Sequence, residues 1–245
     1  VYDRERLPNP PRTTDEWLTA AESGTRLGLV AGGARAYYAY GFYAAFGGRI
    51  LSYDGSCAAD EGGVADALAW IRDAREAGVE LFDDAWVAAD ALANGEIDGF
   101  IEGNWRFGDL REALGDDLGV VRGPSGPDGL FRPLTGVDGY VLNAESPDPA
   151  ASAAVALAMT NRWAQRTLME VAGHVPADRT IPITDPRVGA YAAAAAVGIP
   201  RPQRAEFDNY WGPFSAAFDA VVYDSLDPDD AVEAACAAMD FANGF

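Results

Sequence analysis

Six aromatic side chains fall within one predicted helix, at about residues 36–46. A helix buries one apolar stripe in a core, whereas these aromatic residues lie on more than one face. Trp105 follows a predicted strand, and Trp211 stands beside Tyr210 where a later helix begins. Flat aromatic rings stack on the apolar C–H faces of sugars, so the pattern predicts a carbohydrate-binding cleft, with core packing as the alternative. The helix carries Tyr37, Tyr38, Tyr40, Phe42, Tyr43 and Phe46.

The residue types needed for metal binding or nucleophilic catalysis are scarce. His174 is the only histidine, and Cys57 and Cys236 are the only cysteines, so a zinc site lacks ligands. No G-x-S-x-G elbow accompanies the histidine, and the sequence has neither a phosphate-binding glycine loop nor EF-hand spacing. We therefore expect no catalytic residue, no metal and no cofactor.

Paired acidic residues occur at predicted turns and helix starts. The pairs at 83–84 and 116–117 are explained by solvated surfaces, and the acids of 227–230 (DPDD) complement the dipole of a helix that starts there. A glycosidase instead needs two carboxyl groups facing each other across a cleft. Asp138 or Glu102, near the aromatic residues, would serve such an enzyme, which remains the alternative to a binding protein.

The charge of the chain excludes one class of partner. Among 245 residues, 38 acids face 18 arginines and no lysine, which gives a formal net charge of -20. Such a surface repels phosphate backbones, so we expect no nucleic-acid partner. Aspartate outnumbers glutamate by 25 to 13, which is typical of a halophile-like surface or of GC-rich coding.

Strands alternate with helices along the sequence, and this alternation predicts an α/β fold. No apolar run approaches the ~18 residues of a membrane span, and Val1 begins on what reads as an interrupted strand. We predict strands at 26–31, 49–52, 97–102, 118–122 and 136–143, and helices at 14–21, 36–46, 63–76, 83–93, 149–171, 186–197, 206–222 and 228–242.

Several segments, in order, resemble maltose-binding protein and its relatives. The resemblance begins with residues 2–17 (YDRERLPNPPRTTDEW) and continues through 97–105 (IDGFIEGNW) and 143–147 (NAESP). It ends with Trp211 and the helix at 227–235 (DPDDAVEAA). Each segment alone is weak evidence of kinship, but the segments occur in the same order and together extend over nearly the whole chain. The chain is thus identified as a member of family 1 of the extracellular solute-binding proteins of ABC importers.

The resemblance implies a two-lobed, periplasmic-binding-protein type II-like α/β fold that closes on a sugar. It implies that residues 1–138 and 185–245 form the C-terminal lobe and that residues 139–184 belong to the N-terminal lobe. Most of the N-terminal lobe, and with it half of the ligand site, would precede Val1. It also implies an extracellular or periplasmic monomer that delivers its sugar to permease subunits and is held at the membrane by a lipid anchor outside this chain.

The same resemblance assigns the ligand-binding residues. Tyr37 and Tyr38 match the aromatic pair that stacks on sugar, and Trp105 and Trp211 match two further tryptophans of the family. Arg35 falls where maltose-binding protein has an acid that bonds sugar hydroxyls, so maltose itself is in doubt. The alternatives that stay open are an acidic or phosphorylated sugar, a sugar with a different hydroxyl pattern, and a non-sugar solute such as glycerol phosphate or spermidine.

The pairing of the two cysteines is also open. Cys57 follows a predicted strand and Cys236 lies in the last helix. An extracytoplasmic compartment permits a disulfide, but the sequence does not place the two Cα atoms within the ~7 Å that a bond requires.

Overall fold

Helices and strands alternate along the chain in the computed structural model, which describes residues 1–245. The predicted α/β class is confirmed. The strands are β1 (Tyr2–Asp3), β2 (Leu27–Val30), β3 (Glu80–Phe82), β4 (Gly99–Phe100), β5 (Leu118–Gly119), β6 (Leu134–Thr135) and β7 (Ile199–Pro200). The helices are α1 (Thr14–Glu22), α2 (Arg35–Ala45), α3 (Val64–Glu76), α4 (Ala85–Ala93), α5 (Phe107–Leu114), α6 (Pro149–Thr160), α7 (Arg162–Ala172), α8 (Pro186–Val197), α9 (Trp211–Val222) and α10 (Pro228–Asn243). None of them is long and apolar enough to cross a membrane.

Five of the strands form one sheet in the order β3-β2-β4-β1-β5. Strand β2 runs parallel to both β3 and β4, whereas β1 is antiparallel to β4 and β5. The remaining two strands, β6 and β7, form a separate parallel pair. Because β2 and β4 are parallel neighbours, the segments that follow them emerge at the same edge of the sheet.

Side-chain caps fix several helix starts, as the sequence predicts. The Thr13 hydroxyl accepts a hydrogen bond from the Glu16 amide at 3.1 Å and begins α1. Asp148 and Asp227 cap α6 and α10, and each is followed by a proline at the first helical position. These groups satisfy amides that a helix start otherwise leaves without partners.

Helix α2 packs against α3 and α9 and supplies much of the core. Phe42 stacks on Trp70 with ring centroids 4.7 Å apart, and Tyr40 meets Tyr210 edge-to-face at 5.7 Å. Core packing therefore accounts for the aromatic residues on one side of α2, while Tyr37 and Tyr38 lie on another.

A disulfide joins Cys57 to Cys236, whose Cα atoms are 5.3 Å apart. The bond ties the loop before α3 to the middle of α10. A carboxylate oxygen of Asp240 accepts a hydrogen bond from the Cys57 amide at 2.7 Å and holds the same junction. The question that the sequence left open is thereby answered in favour of the bond.

The predicted helix at 149–171 is wrong as a single element. The structure breaks it at Asn161, whose backbone is extended (φ -68°, ψ 168°) between α6 and α7. The Asn161 side chain accepts a hydrogen bond from the Ala164 amide at 2.9 Å and so caps the second helix. One local hydrogen bond thus overrides the helix propensity of the surrounding alanines.

Two predicted strands are also wrong. Residues 49–52 form only an isolated bridge between Leu51 and Cys57. Residues 136–143 follow β6 without strand structure, and all eight are exposed. Apolar composition favours a strand, but a strand forms only where another segment satisfies its backbone groups.

Candidate functional site

The candidate site lies where the two central parallel strands end. Strand β2 leads through Gly32 into α2, which carries Tyr37 and Tyr38. Strand β4 leads into residues 101–105 and places Trp105 beside that helix. Ligands of open α/β sheets commonly bind outside the carboxyl ends of parallel strands, so this topology supplies a position for a site.

Three of the predicted residues form one aromatic platform, which we define as Tyr37, Tyr38 and Trp105. The Trp105 centroid lies 5.9 Å from that of Tyr37 and 6.5 Å from that of Tyr38, and the two tyrosine rings are 5.5 Å apart. Trp105 is 47% exposed, whereas Tyr38 is only 9% exposed. The platform therefore offers an accessible indole supported by two largely covered phenol rings.

Gly103 makes room for the exposed indole. A Cβ at this position would lie 2.0 Å from the Trp105 ring, which is far inside van der Waals contact. The Asn104 side chain also donates a long hydrogen bond, 3.4 Å, to the Gly173 carbonyl after α7. The short G-N-W segment therefore fixes the direction of the indole through backbone contact.

Glu102 lies beneath the platform and holds Tyr38 in place. One carboxylate oxygen, Oε1, accepts hydrogen bonds from the Tyr38 hydroxyl at 3.1 Å and from the Gly103 amide at 2.7 Å. The other, Oε2, is buried and has no hydrogen-bond partner. Burial raises the pKa of Glu102 to about 7, although the Gly103 and Tyr38 hydrogen bonds oppose this shift.

Replacing Glu102 with glutamine should remove one pH-dependent contribution to the free energy of unfolding. The folded-state pKa of about 7 lies above the ordinary 4.5, so the contribution of Glu102 to stability falls as pH rises through this interval. The advantage of Glu102→Gln over wild type should therefore grow by about 2 kcal/mol between pH 4.5 and 7, allowing for partial solvation, and then level off. Urea unfolding at a series of pH values measures it.

The matched control is Glu96→Gln, which removes the same charge from an exposed side chain. Any pH-independent cost of burying the amide cancels when one variant is compared across pH. A Glu102→Gln curve parallel to that of wild type would show that Glu102 ionises like an ordinary surface acid.

Trp211 makes its aromatic contacts outside the platform. Its ring is 5.4 Å from Phe207 and 5.0 Å from Tyr210, both of which are buried. The guanidinium of Arg201 lies over the Trp211 ring, 5.1 Å from its centroid. The sequence predicted the tryptophan but not the arginine, which stands between two prolines that signal only a turn.

A hydrogen bond connects the platform to the small sheet. The Tyr37 hydroxyl donates to the Leu134 carbonyl of β6 at 3.4 Å. Burial and the negative charge of Glu102 raise the pKa of Tyr37, Arg201 lowers it, and Asp138 raises it. Because Tyr37 is bonded to β6, the residues that follow the paired strands β6 and β7 place two opposite charges, Asp138 and Arg201, on this side of the platform.

The Arg35 guanidinium is engaged by hydrogen bonds and an ion pair within the chain. It donates to the carbonyls of Gly32 and Ser215 at 2.9 and 3.1 Å and pairs with the Asp219 carboxylate at 2.5 Å. These contacts fasten the start of α2 to α9. The side chain therefore has a structural role that the sequence did not reveal.

No group of three or more His, Cys, Asp or Glu side chains could hold a metal ion. The aromatic platform with its polar margin can instead stack on an apolar ring face and exchange hydrogen bonds with groups at the ring's edge.

Comparison with known proteins agrees with this geometry. A family model described as bacterial extracellular solute-binding protein matches residues 1–196. The structure of the maltose/maltodextrin-binding domain of Bdellovibrio bacteriovorus bound to maltotriose is similar over 100% of this chain and 70% of that one, with 23% identity and a TM-score of 0.85. The maltotriose binding protein of Thermus thermophilus, bound with maltotriose, matches 99% of this chain and 69% of its own, with 25% identity and a TM-score of 0.85.

The maltose-maltodextrin binding protein of Alicyclobacillus acidocaldarius is a third similar structure, with 20% identity and a TM-score of 0.82. A search among curated protein sequences found no match. The structural matches confirm the periplasmic-binding-protein type of fold, of which this chain spans about 70% in length. Because the family model covers four fifths of the sequence, the chain belongs to the bacterial extracellular solute-binding proteins.

Proposed function

We propose that the chain binds a maltooligosaccharide as part of a receptor that delivers sugar to the permease subunits of an ABC importer. The observation that carries this proposal is the platform of Tyr37, Tyr38 and Trp105 at the ends of β2 and β4, with its half-exposed indole. The similar structures from Bdellovibrio and Thermus contain maltotriose, which supports a short glucose oligomer as the ligand.

Two lobes contribute to the site in this proposal. Residues 1–138 and 185–245 form one lobe, and residues 139–184 belong to the other. In support, the buried clusters draw only Met169 and Ile181 from within 139–184. The same segment has many exposed apolar side chains, among them Val141, Leu157 and Trp163, as expected of a surface that continues into further structure. A lipid anchor outside this chain would hold the monomeric receptor at the outer face of the membrane.

Within the platform, Trp105 and Tyr37 would stack on the sugar, and Tyr38 would support them through Glu102. Trp211 would extend the apolar surface beside Arg201. Arg35 would contribute indirectly, by holding α2, the helix that carries the two tyrosines, against α9.

The binding role is preferred to a hydrolytic one because of where Glu102 lies. Its Oε1 accepts hydrogen bonds from Tyr38 and Gly103 and its Oε2 is buried, which is the environment of a side chain that supports Tyr38 from within the fold. The similar proteins are named as binding proteins. We therefore propose that the chain returns its sugar unchanged.

Titration with maltotriose tests the proposal. Ligand-observed NMR and calorimetry, taken to about 10 mM, detect a site even if its Kd is near 1 mM. We expect saturable binding of maltotriose and no release of glucose or maltose on prolonged incubation. Glycerol 3-phosphate and spermidine are the comparison solutes, and tighter binding of either would overturn the assignment to sugar.

A further inference from the structure

The small sheet places two charged side chains at one edge. Leu134 pairs with Ile199 and Thr135 with Pro200 in parallel register, so β6 and β7 end side by side. Arg201 follows β7 directly, and Asp138 comes three residues after β6. The Arg201 amide donates to the Thr135 carbonyl at 3.0 Å. This hydrogen bond fixes the backbone position from which the Arg201 side chain extends.

Arg201 has no partner of its own in a strongly acidic chain. Its guanidinium makes no ion pair and no hydrogen bond, although 38 acids are present. Neighbouring arginines are engaged: Arg132 donates to the Val197 carbonyl, and Arg204 donates to the Tyr53 carbonyl and pairs with Glu206. The Trp211 ring orients Arg201 instead, which leaves its planar set of N–H donors free.

Asp138 supplies the complementary acceptor. Its carboxylate makes no hydrogen bond and no ion pair within the chain, and the residue is exposed. The Tyr37 hydroxyl donates to the Leu134 carbonyl of β6 at 3.4 Å, and Asp138 and Arg201 follow the paired strands β6 and β7, so both residues lie on this side of the platform. In agreement, both charges affect the pKa of Tyr37. A free donor and a free acceptor therefore flank the surface on which a ring would stack.

On the basis of the proposed sugar-binding function, we infer that Arg201 and Asp138 determine specificity by binding adjacent hydroxyls of the sugar ring stacked on the platform. Arg201 donates to a hydroxyl oxygen, and Asp138 accepts a hydroxyl proton. A charge of each sign disfavours both anionic and cationic solutes, so the pair selects a neutral polyhydroxylated ligand. Hydrogen bonds with one charged partner are stronger than neutral ones, so two side chains give substantial discrimination.

The test is binding of maltotriose, measured by calorimetry and ligand-observed NMR, to the chain and to Arg201→Gln and Asp138→Asn. Each substitution removes a charge with little change in volume. We expect each to weaken binding roughly tenfold or more, and Arg201→Lys to fall between wild type and Arg201→Gln because it keeps the charge but loses the planar donors. Thermal unfolding should be unaffected because both side chains are exposed.

The control variants are Arg12→Gln and Asp224→Asn, which change the same charges at exposed positions without side-chain partners. They should bind maltotriose as wild type does. Wild-type binding of maltotriose with less than a threefold change in either Arg201→Gln or Asp138→Asn would overturn this inference alone. Failure of the wild-type chain to bind maltotriose at all would overturn the proposed function as well, so the two failures are distinguishable.

Discussion

Trp105→Ala should weaken maltotriose binding by about 2 kcal/mol, which corresponds to roughly a thirtyfold rise in Kd. The indole is the most exposed ring of the platform and rests on the Gly103 backbone, so its removal deletes the stacking surface. The fold should persist because nearly half of the side chain is already exposed. Calorimetry and ligand-observed NMR measure the binding, and urea unfolding measures the fold.

Trp163→Ala is the matched control, because Trp163 is 74% exposed and lies at the start of α7, whereas the segment that carries Trp105 contacts Gly173 at the other end of that helix. It should leave maltotriose affinity unchanged. If Trp105→Ala instead unfolds the chain, the indole belongs to the core. If it folds and binds maltotriose normally, the sugar does not stack at this platform.

Loss of the Cys57–Cys236 disulfide should lower the free energy of unfolding by about 3–5 kcal/mol. The bond closes a loop with a sequence separation of 179 residues, so it removes a large amount of conformational freedom from the unfolded chain. Urea unfolding of the oxidised chain, compared with the Cys57→Ser/Cys236→Ser double variant, measures the difference. Sugar binding should change little, because neither cysteine touches the platform.

The double variant also provides the internal control. Dithiothreitol should destabilise the wild-type chain and have no effect on the variant. Thiol titration of the denatured, unreduced wild-type chain should find no free thiol; two thiols per chain would contradict the bond.

The sequence predicts the elements that local chemistry defines. Capping residues mark the starts of α1, α6 and α10, and glycines mark several ends. The placement of Trp105 after a strand and of Tyr37 and Tyr38 on an aromatic helix leads to the platform, because the chain reverses direction at the ends of parallel strands. These signals lie within a few residues of the feature that they predict.

Features that depend on distant segments are not predictable in this way. The proposed role of Arg201 follows only from the pairing of β7 with β6, which lies more than sixty positions earlier. The sequence predicts Arg35 as a ligand contact, whereas the structure pairs its guanidinium with Asp219 of α9. The apolar run at 136–143 reads as a strand, but no other segment pairs with it. In each case the missing information is a tertiary partner.

The strand order of the five-stranded sheet bears on when this protein can fold. Only one pair of neighbours in the sheet, β3 and β2, is consecutive in sequence. Strand β1, at residues 2–3, has no partner until residues 99–119 have been synthesised. Sheets assembled from such distant segments fold slowly, because the chain loses the entropy of loop closure before the stabilising contacts form. Until those segments meet, the strand edges of the new chain lack hydrogen-bond partners, and this is the interval in which such a chain is most prone to aggregate.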